Sequence, residues 1–99
     1  MRVRILPEAQ AEIEDAAEWY EQARRGLATE FLREIDAGLE RVVESPKAWH
    51  ALSSRLRRYR LDRFPYGIIY QLRKEEILVI AVAHLHRRPD YWRHRLKGS

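Results

Sequence analysis

The sequence predicts an α+β fold in the order β-α-α-β-β-β-α. A helical hairpin packs on one face of a mostly antiparallel four-stranded sheet, and a short C-terminal helix closes the chain. Three observations predict it. Apolar residues recur at helical spacing between residues 7 and 44. They alternate, or run unbroken with many β-branched members, between Tyr66 and Leu85. Prolines stand where elements begin or end, at Pro7, Pro46, Pro65 and Pro89.

Arg2 to Leu6 reads as a short strand, with Val3 and Ile5 on one face. Pro7 then opens a helix, because its fixed φ and missing N–H suit the first helical position. Glu8 and Glu12 favour the positive end of that helix dipole. Ala9, Ile13, Ala16, Ala17 and Tyr20 form one helical face, and Gly26 ends the element. A second helix runs from about Leu27 to Glu44 on the stripe Phe31, Ile35, Leu39 and Val42. Ser45-Pro46 stops it, since a residue before proline avoids the α region. The short connection makes the two helices an antiparallel hairpin, with Ala16, Ala17 and Gly38 allowing close approach.

Lys47 to Ser54 lacks a period and reads as a loop, with Trp49 plugging it onto the core. Arg55 to Leu61 is basic and poorly alternating, as a charged edge strand is. Tyr66, Ile68, Tyr70 and Leu72 alternate with Gly67, Ile69, Gln71 and Arg73, the pattern of a half-buried strand. Lys74-Glu75-Glu76 is a hairpin turn. Ile77 to Leu85 reads as a central strand covered on much of both faces. Pro89 to Leu96 is the last helix. The periods place Ile13, Phe31, Ile35, Leu39, Ile68, Tyr70, Val79 and Val82 in one core.

Ninety-nine residues are one domain's worth, residues 1–99. There is no cysteine, which removes disulfides, thiol catalysis and cysteine-ligated zinc. The charged N-terminus does not read as a signal peptide, and no apolar run approaches a membrane span. The expectation is a cytoplasmic protein. Its charge is split: residues 1–54 carry seven Lys or Arg against eleven Asp or Glu, a net −4. Residues 55–99 carry twelve against four, a net +8. Such asymmetry points to a face for an anionic partner, and the excess of Arg over Lys suits bidentate phosphate contact.

Three clusters are candidates for chemistry. Arg55-Leu56-Arg57-Arg58-Tyr59-Arg60-Leu61-Asp62-Arg63 puts Arg58 and Arg60 on one strand face and Arg55 and Arg57 on the other. It is either a phosphate-gripping ridge, with Arg63 beside it and Tyr59 as a stacking ring, or an edge charged against aggregation. Pro65 and Gly67 mark a strand start and a bared backbone, for tight packing or for ligand approach. His84 and His86 share a strand face if the strand persists that far, but no third ligand completes a metal site, so neither metal nor cofactor is expected. His84 suits general acid–base work or a structural place at a strand end. Arg87 and Arg88 can stabilise phosphate charge or hold an acidic surface. Tyr91 and Trp92 can stack on bases or anchor the last helix. The carboxylates of the first helix read as a solvated face.

Three stretches, Ala16-Ala17-Glu18-Trp19-Tyr20-Glu21, Arg63-Phe64-Pro65-Tyr66-Gly67-Ile68-Ile69-Tyr70 and Ala83-His84-Leu85-His86-Arg87-Arg88-Pro89-Asp90-Tyr91-Trp92, together resemble the RelE/ParE superfamily of type II toxin–antitoxin systems. The similarity spans nearly the whole chain. It implies a two-layer fold with the first strand beside the last. It also implies a cognate antitoxin, encoded next door, whose extended C-terminal part wraps the toxin in a hetero-oligomer; a homodimer is the other assembly. RelE-like members cleave mRNA on the ribosome, whereas ParE-like members poison DNA gyrase without being nucleases. A third type only binds its antitoxin. For the nuclease type the resemblance implies Arg58 and Arg60, then Arg87 or Arg88, with Tyr91; His84, Arg87 and Tyr91 are the catalytic candidates. Arg57, Arg58, Arg60, Arg63, Arg87 and Arg88 are the candidates for binding nucleic acid or target. The position after Tyr66, where the nuclease type has an arginine facing the scissile phosphate, is Gly67. That departure tilts the reading toward the ParE-like branch.

Overall fold

After the first short strand, helical and strand periods occupy separate halves of the chain, and the architecture follows that division. The computed structural model describes residues 1–98. Strand β1 spans Arg2–Ile5, helix α1 Pro7–Ala23 and helix α2 Leu27–Glu44. Strands β2, β3, β4 and β5 span His50–Ala51, Leu56–Arg60, Tyr66–Leu72 and Glu76–His84. A 3-10 segment covers Arg93–Gly98. The sheet order is β1-β5-β4-β3-β2. β1 runs parallel to β5, and every other neighbour pair is antiparallel.

Pro7 occupies the first turn of α1, and Gly26 turns the chain into α2 with φ of 88°. The Glu21 carboxylate accepts from the Gly26 and Ala28 N–H groups at 3.1 Å, satisfying donors that the start of α2 leaves open. On the sheet face beneath the helices, Ile13, Phe31, Ile35, Ile68, Tyr70, Val79 and Val82 are buried, and Leu39 packs against them half-buried. Gly38 serves a different contact from the one expected. A Cβ there would lie 2.8 Å from Cε1 of Tyr59 and 3.1 Å from Cδ1 of Ile68, so Gly38 lets α2 approach the sheet rather than α1.

Three expectations need correction. The sheet has five strands, because His50 and Ala51, expected in a loop, pair with Arg58 and Arg57. The turn behind this pairing is held by Leu52 and Ser53 N–H groups donating to the Leu56 carbonyl at 2.8 and 3.2 Å. The basic strand β3 is therefore one place in from the edge over those residues. The last α-helix is replaced by turns and the 3-10 segment. Asp90 takes φ of 64°, which an α-helix cannot contain, and Arg93 N–H donates to the Asp90 carbonyl at 3.0 Å. The hairpin turn sits one residue earlier than expected, since Glu76 already belongs to β5 and its carbonyl accepts from Arg73 N–H at 2.9 Å.

β5 is buried on both faces, and a bulge shifts its side-chain parity part-way along. Ile69 pairs with Ala81 and Tyr70 with Val79, leaving Ile80 without a partner across β4. Ile77, Val79 and Val82 point to the helices, while Leu78, Ile80, Ala81 and Ala83 join a second cluster on the other face. Trp92 seals that cluster at 4% exposure, anchoring the C-terminal segment as one of its two expected roles.

Candidate functional site

The edge of β5 next to β1 poses a problem of hydrogen bonding. β1 pairs with β5 as far as Val79, whose carbonyl accepts from Leu6 N–H at 3.1 Å; the chain then leaves the sheet for α1. The polar groups of β5 beyond that point are buried and need other partners. Glu12 of α1 provides one, accepting the Val82 N–H at 3.0 Å. Arg95 provides the other, donating to the Ile80 carbonyl at 3.1 Å. The two side chains also meet each other, at 2.9 and 3.2 Å, in a two-pronged ion pair. The Tyr91 hydroxyl donates to the same carboxylate, and Arg87 approaches it at 3.5 Å. The Arg87 guanidinium also lies 3.7 Å from the centre of the Tyr91 ring, in cation–π contact.

This network decides what Tyr91 can do. Burial raises the Tyr91 pKa far above its ordinary value, and the hydrogen bond to Glu12 adds to the rise. The phenol is a fixed donor. Arg95 keeps its charge for a related reason: burial opposes it, but the Glu12 carboxylate outweighs that and its pKa is raised. Neither Glu12 nor Arg95 stood out in the sequence, where Glu12 was grouped with a solvated face. A signal was present. Glu12 is three residues after Ala9 and four before Ala16, on the buried stripe of α1.

The sequence-derived candidates fall into three groups. Some are engaged in the fold. Arg57 donates to the Trp49 carbonyl at 2.8 Å. Arg63 pairs with Glu30, and its backbone N–H donates to Glu34 at 2.7 Å. Tyr59 is buried beneath α2, with its hydroxyl accepting from Arg41 at 2.7 Å, so the expected stacking ring is not available. His84 and Arg87 are partly engaged. The His84 ring packs edge-on against Tyr66, and its Nδ1 accepts from His86 N–H at 3.1 Å. β5 ends at His84, so the expected two-histidine strand face does not form, although the two ring centres lie 5.2 Å apart.

The third group is open. Arg58 and Arg60 lie on the sheet face away from the helices, as their alternation predicts. The stem of Arg58 runs over Gly67, where a Cβ would stand 2.9 Å from its Cγ and Cδ. The Nε of Arg58 is buried with no hydrogen-bond partner. Arg58, Arg87 and Arg88 line one cleft of about 120 Å³ with Leu85 and Trp92. Arg60 and Arg88 are exposed and form no ion pair among the described residues. A larger groove of about 590 Å³ lies between α1 and the sheet end, lined by Asp15, Trp19, Tyr66 and His84; Trp19 is 65% exposed.

The family model described as ParE toxin of type II toxin-antitoxin system, parDE, matches residues 3–91. The chain belongs to the ParE toxin family. A solved structure titled as the chromosomal ParDE TA system from P. aeruginosa shares the fold, with a TM-score of 0.75 at 16% identity. The similarity covers 87% of this chain and 97% of that one. No curated protein matches the sequence. The ParE family match runs from β1 through Tyr91 and so includes Glu12, Gly67 and the Arg87–Arg88 pair; Arg95 lies beyond it. Among the described residues, no helix is long and apolar enough to cross a membrane.

Proposed function

We propose that this ParE-family chain inhibits growth by binding a target protein, DNA gyrase, through its arginine face, and that a cognate antitoxin encoded beside it neutralises it. The observation that carries the reading is the commitment of Tyr91 to Glu12. Ribonucleolytic cleavage needs a base for the 2′-hydroxyl, an acid for the leaving oxygen and cations at the phosphate. Here the candidate acid is a raised-pKa phenol already donating to a carboxylate. The strand position that would carry a central cation is Gly67, covered by the Arg58 stem. What the face offers is exposed guanidinium charge, Arg60 on β3 and Arg88 just past β5, which suits an acidic protein surface. The antitoxin reading rests on the family and on the shared fold with a chromosomal ParDE toxin–antitoxin system. The groove beside Trp19 is where an added partner segment would lie.

Expression in a native host should arrest growth, and co-expression of the neighbouring gene product should restore it. Arg88→Glu, at an exposed residue, should abolish the arrest while leaving the circular dichroism spectrum and melting temperature of the protein unchanged. Full potency in both Arg88→Glu and Arg60→Glu would rule out the arginine face as the target contact.

A further inference from the structure

We infer that Glu12 is the positioning residue of the inhibitory face: its carboxylate holds the C-terminal segment, residues 85–96, against the sheet and so fixes where Arg87 and Arg88 point. The inference rests on the reading that those arginines meet the target. It begins with how little else fixes the segment. After β5 ends, the backbone bond that ties residues 85–95 back to the sheet region is Leu85 N–H on the Pro65 carbonyl at 2.8 Å, just ahead of β4. The bonds that follow, Arg87 to His84, Arg93 to Asp90 and Arg95 to Trp92, are local turns. They shape the segment without attaching it. Trp92, with Tyr91 and Leu96 packed beside it, supplies apolar anchorage, which is non-directional.

Most of the direction comes from one carboxylate, with the Arg95 bond to the Ile80 carbonyl at 3.1 Å beside it. Glu12 receives Tyr91, Arg95 through both terminal nitrogens, and Arg87, while its Oε1 also takes the Val82 N–H of β5. The same group therefore touches α1, the sheet edge and three residues of the segment. Arg95 is 9% exposed on its side chain, and its Nε has no partner. Without Glu12 it would be a buried cation facing only a carbonyl, which favours moving the segment out to water. Arg88 sits one residue beyond Arg87 in the stretch so tethered, which makes Glu12 a control on the binding face without being part of it.

The test uses the full chain bearing Glu12→Gln, which keeps the shape and removes the charge. Three measurements are made: amide hydrogen exchange by segment, melting temperature, and the potency of growth arrest at matched protein level. The inference predicts at least tenfold faster exchange in residues 85–96, with the amides of α2, β3 and β4 still protected, and at least a tenfold loss of potency. Should Glu12→Gln fail to fold, Arg95→Gln probes the same link from the other side and should give the same segmental pattern. Unchanged exchange in residues 85–96 overturns the inference. So does a released segment with full potency in a background where Arg88→Glu is inactive. If Arg88→Glu and Arg60→Glu are both fully active, the arginine-face reading fails instead, and the inference that Glu12 positions an inhibitory face falls with it.

Discussion

Replacing Tyr91 with Phe separates the two chemistries this fold can host. The substitution removes one hydrogen bond, from the phenol to Oε2 of Glu12. A hydrogen bond to a charged group contributes about 1.5–3 kcal/mol. The carboxylate is not stranded, because Arg95 still donates to it at 2.9 and 3.2 Å and Val82 N–H at 3.0 Å. The ring also keeps its contact with the Arg87 guanidinium, at 3.7 Å. The expected loss is thus at the lower end, about 1–2 kcal/mol. For a domain of this size each kcal/mol moves the melting temperature by about 4–8 °C, so the shift should be about 5–15 °C. Differential scanning calorimetry measures it. Growth arrest, assayed at a temperature where the variant is folded, should stay within about threefold of the parent, a difference of less than 0.7 kcal/mol. Complete loss of arrest with an unchanged melting temperature would refute the reasoning. The phenol would then be acting on substrate rather than holding the fold.

Two further predictions concern the scaffold. Gly38→Ala gains up to about 1 kcal/mol of helix propensity but sets a methyl 2.8 Å from the Tyr59 ring, where overpacking costs about 1–3 kcal/mol. Tyr59 is held by Arg41 and by the edge of Trp49, so net destabilisation of about 1–2 kcal/mol is expected in urea titrations, and stabilisation would show that α2 lifts freely from the sheet. Glu76 is held well below its ordinary pKa, at about 2, by hydrogen bonds from Arg4 and Arg2. Because its folded pKa is depressed from 4.5, its contribution is full above pH 4.5 and is lost as pH falls toward 2; acid titration of Glu76→Gln should show a shallower loss of stability over that window.

The fold was legible wherever burial imposed a period. Ala9, Ile13, Ala16, Ala17 and Tyr20 repeat at helical spacing because one face of α1 lies on the sheet. Tyr66, Ile68 and Tyr70 alternate because β4 presents one side to the helices. The unbroken run of β5 revealed coverage on both faces but hid the bulge at Ile80, since a fully apolar strand carries no parity to shift. β2 was illegible because two residues cannot display a period. The site was harder. Alternation assigned Arg58 and Arg60 to a common face, yet it could not tell that Arg57 is engaged by the Trp49 carbonyl across the β2 turn or Arg63 by Glu30, 33 residues away. Glu12 reads as solvated because its partners lie 70 to 83 residues away. Its place on the apolar stripe of α1 was the one local sign. A carboxylate there is a group that some later cation must meet.

An arginine face that binds a protein and cleaves nothing separates two assays run side by side: purified protein added to gyrase supercoiling reactions and to translating ribosomes on a defined mRNA. Supercoiling should be lost at protein concentrations comparable to gyrase, with the mRNA intact at every codon. Cuts positioned in the ribosomal A site, abolished by Tyr91→Phe or His84→Ala while gyrase works normally, would contradict it.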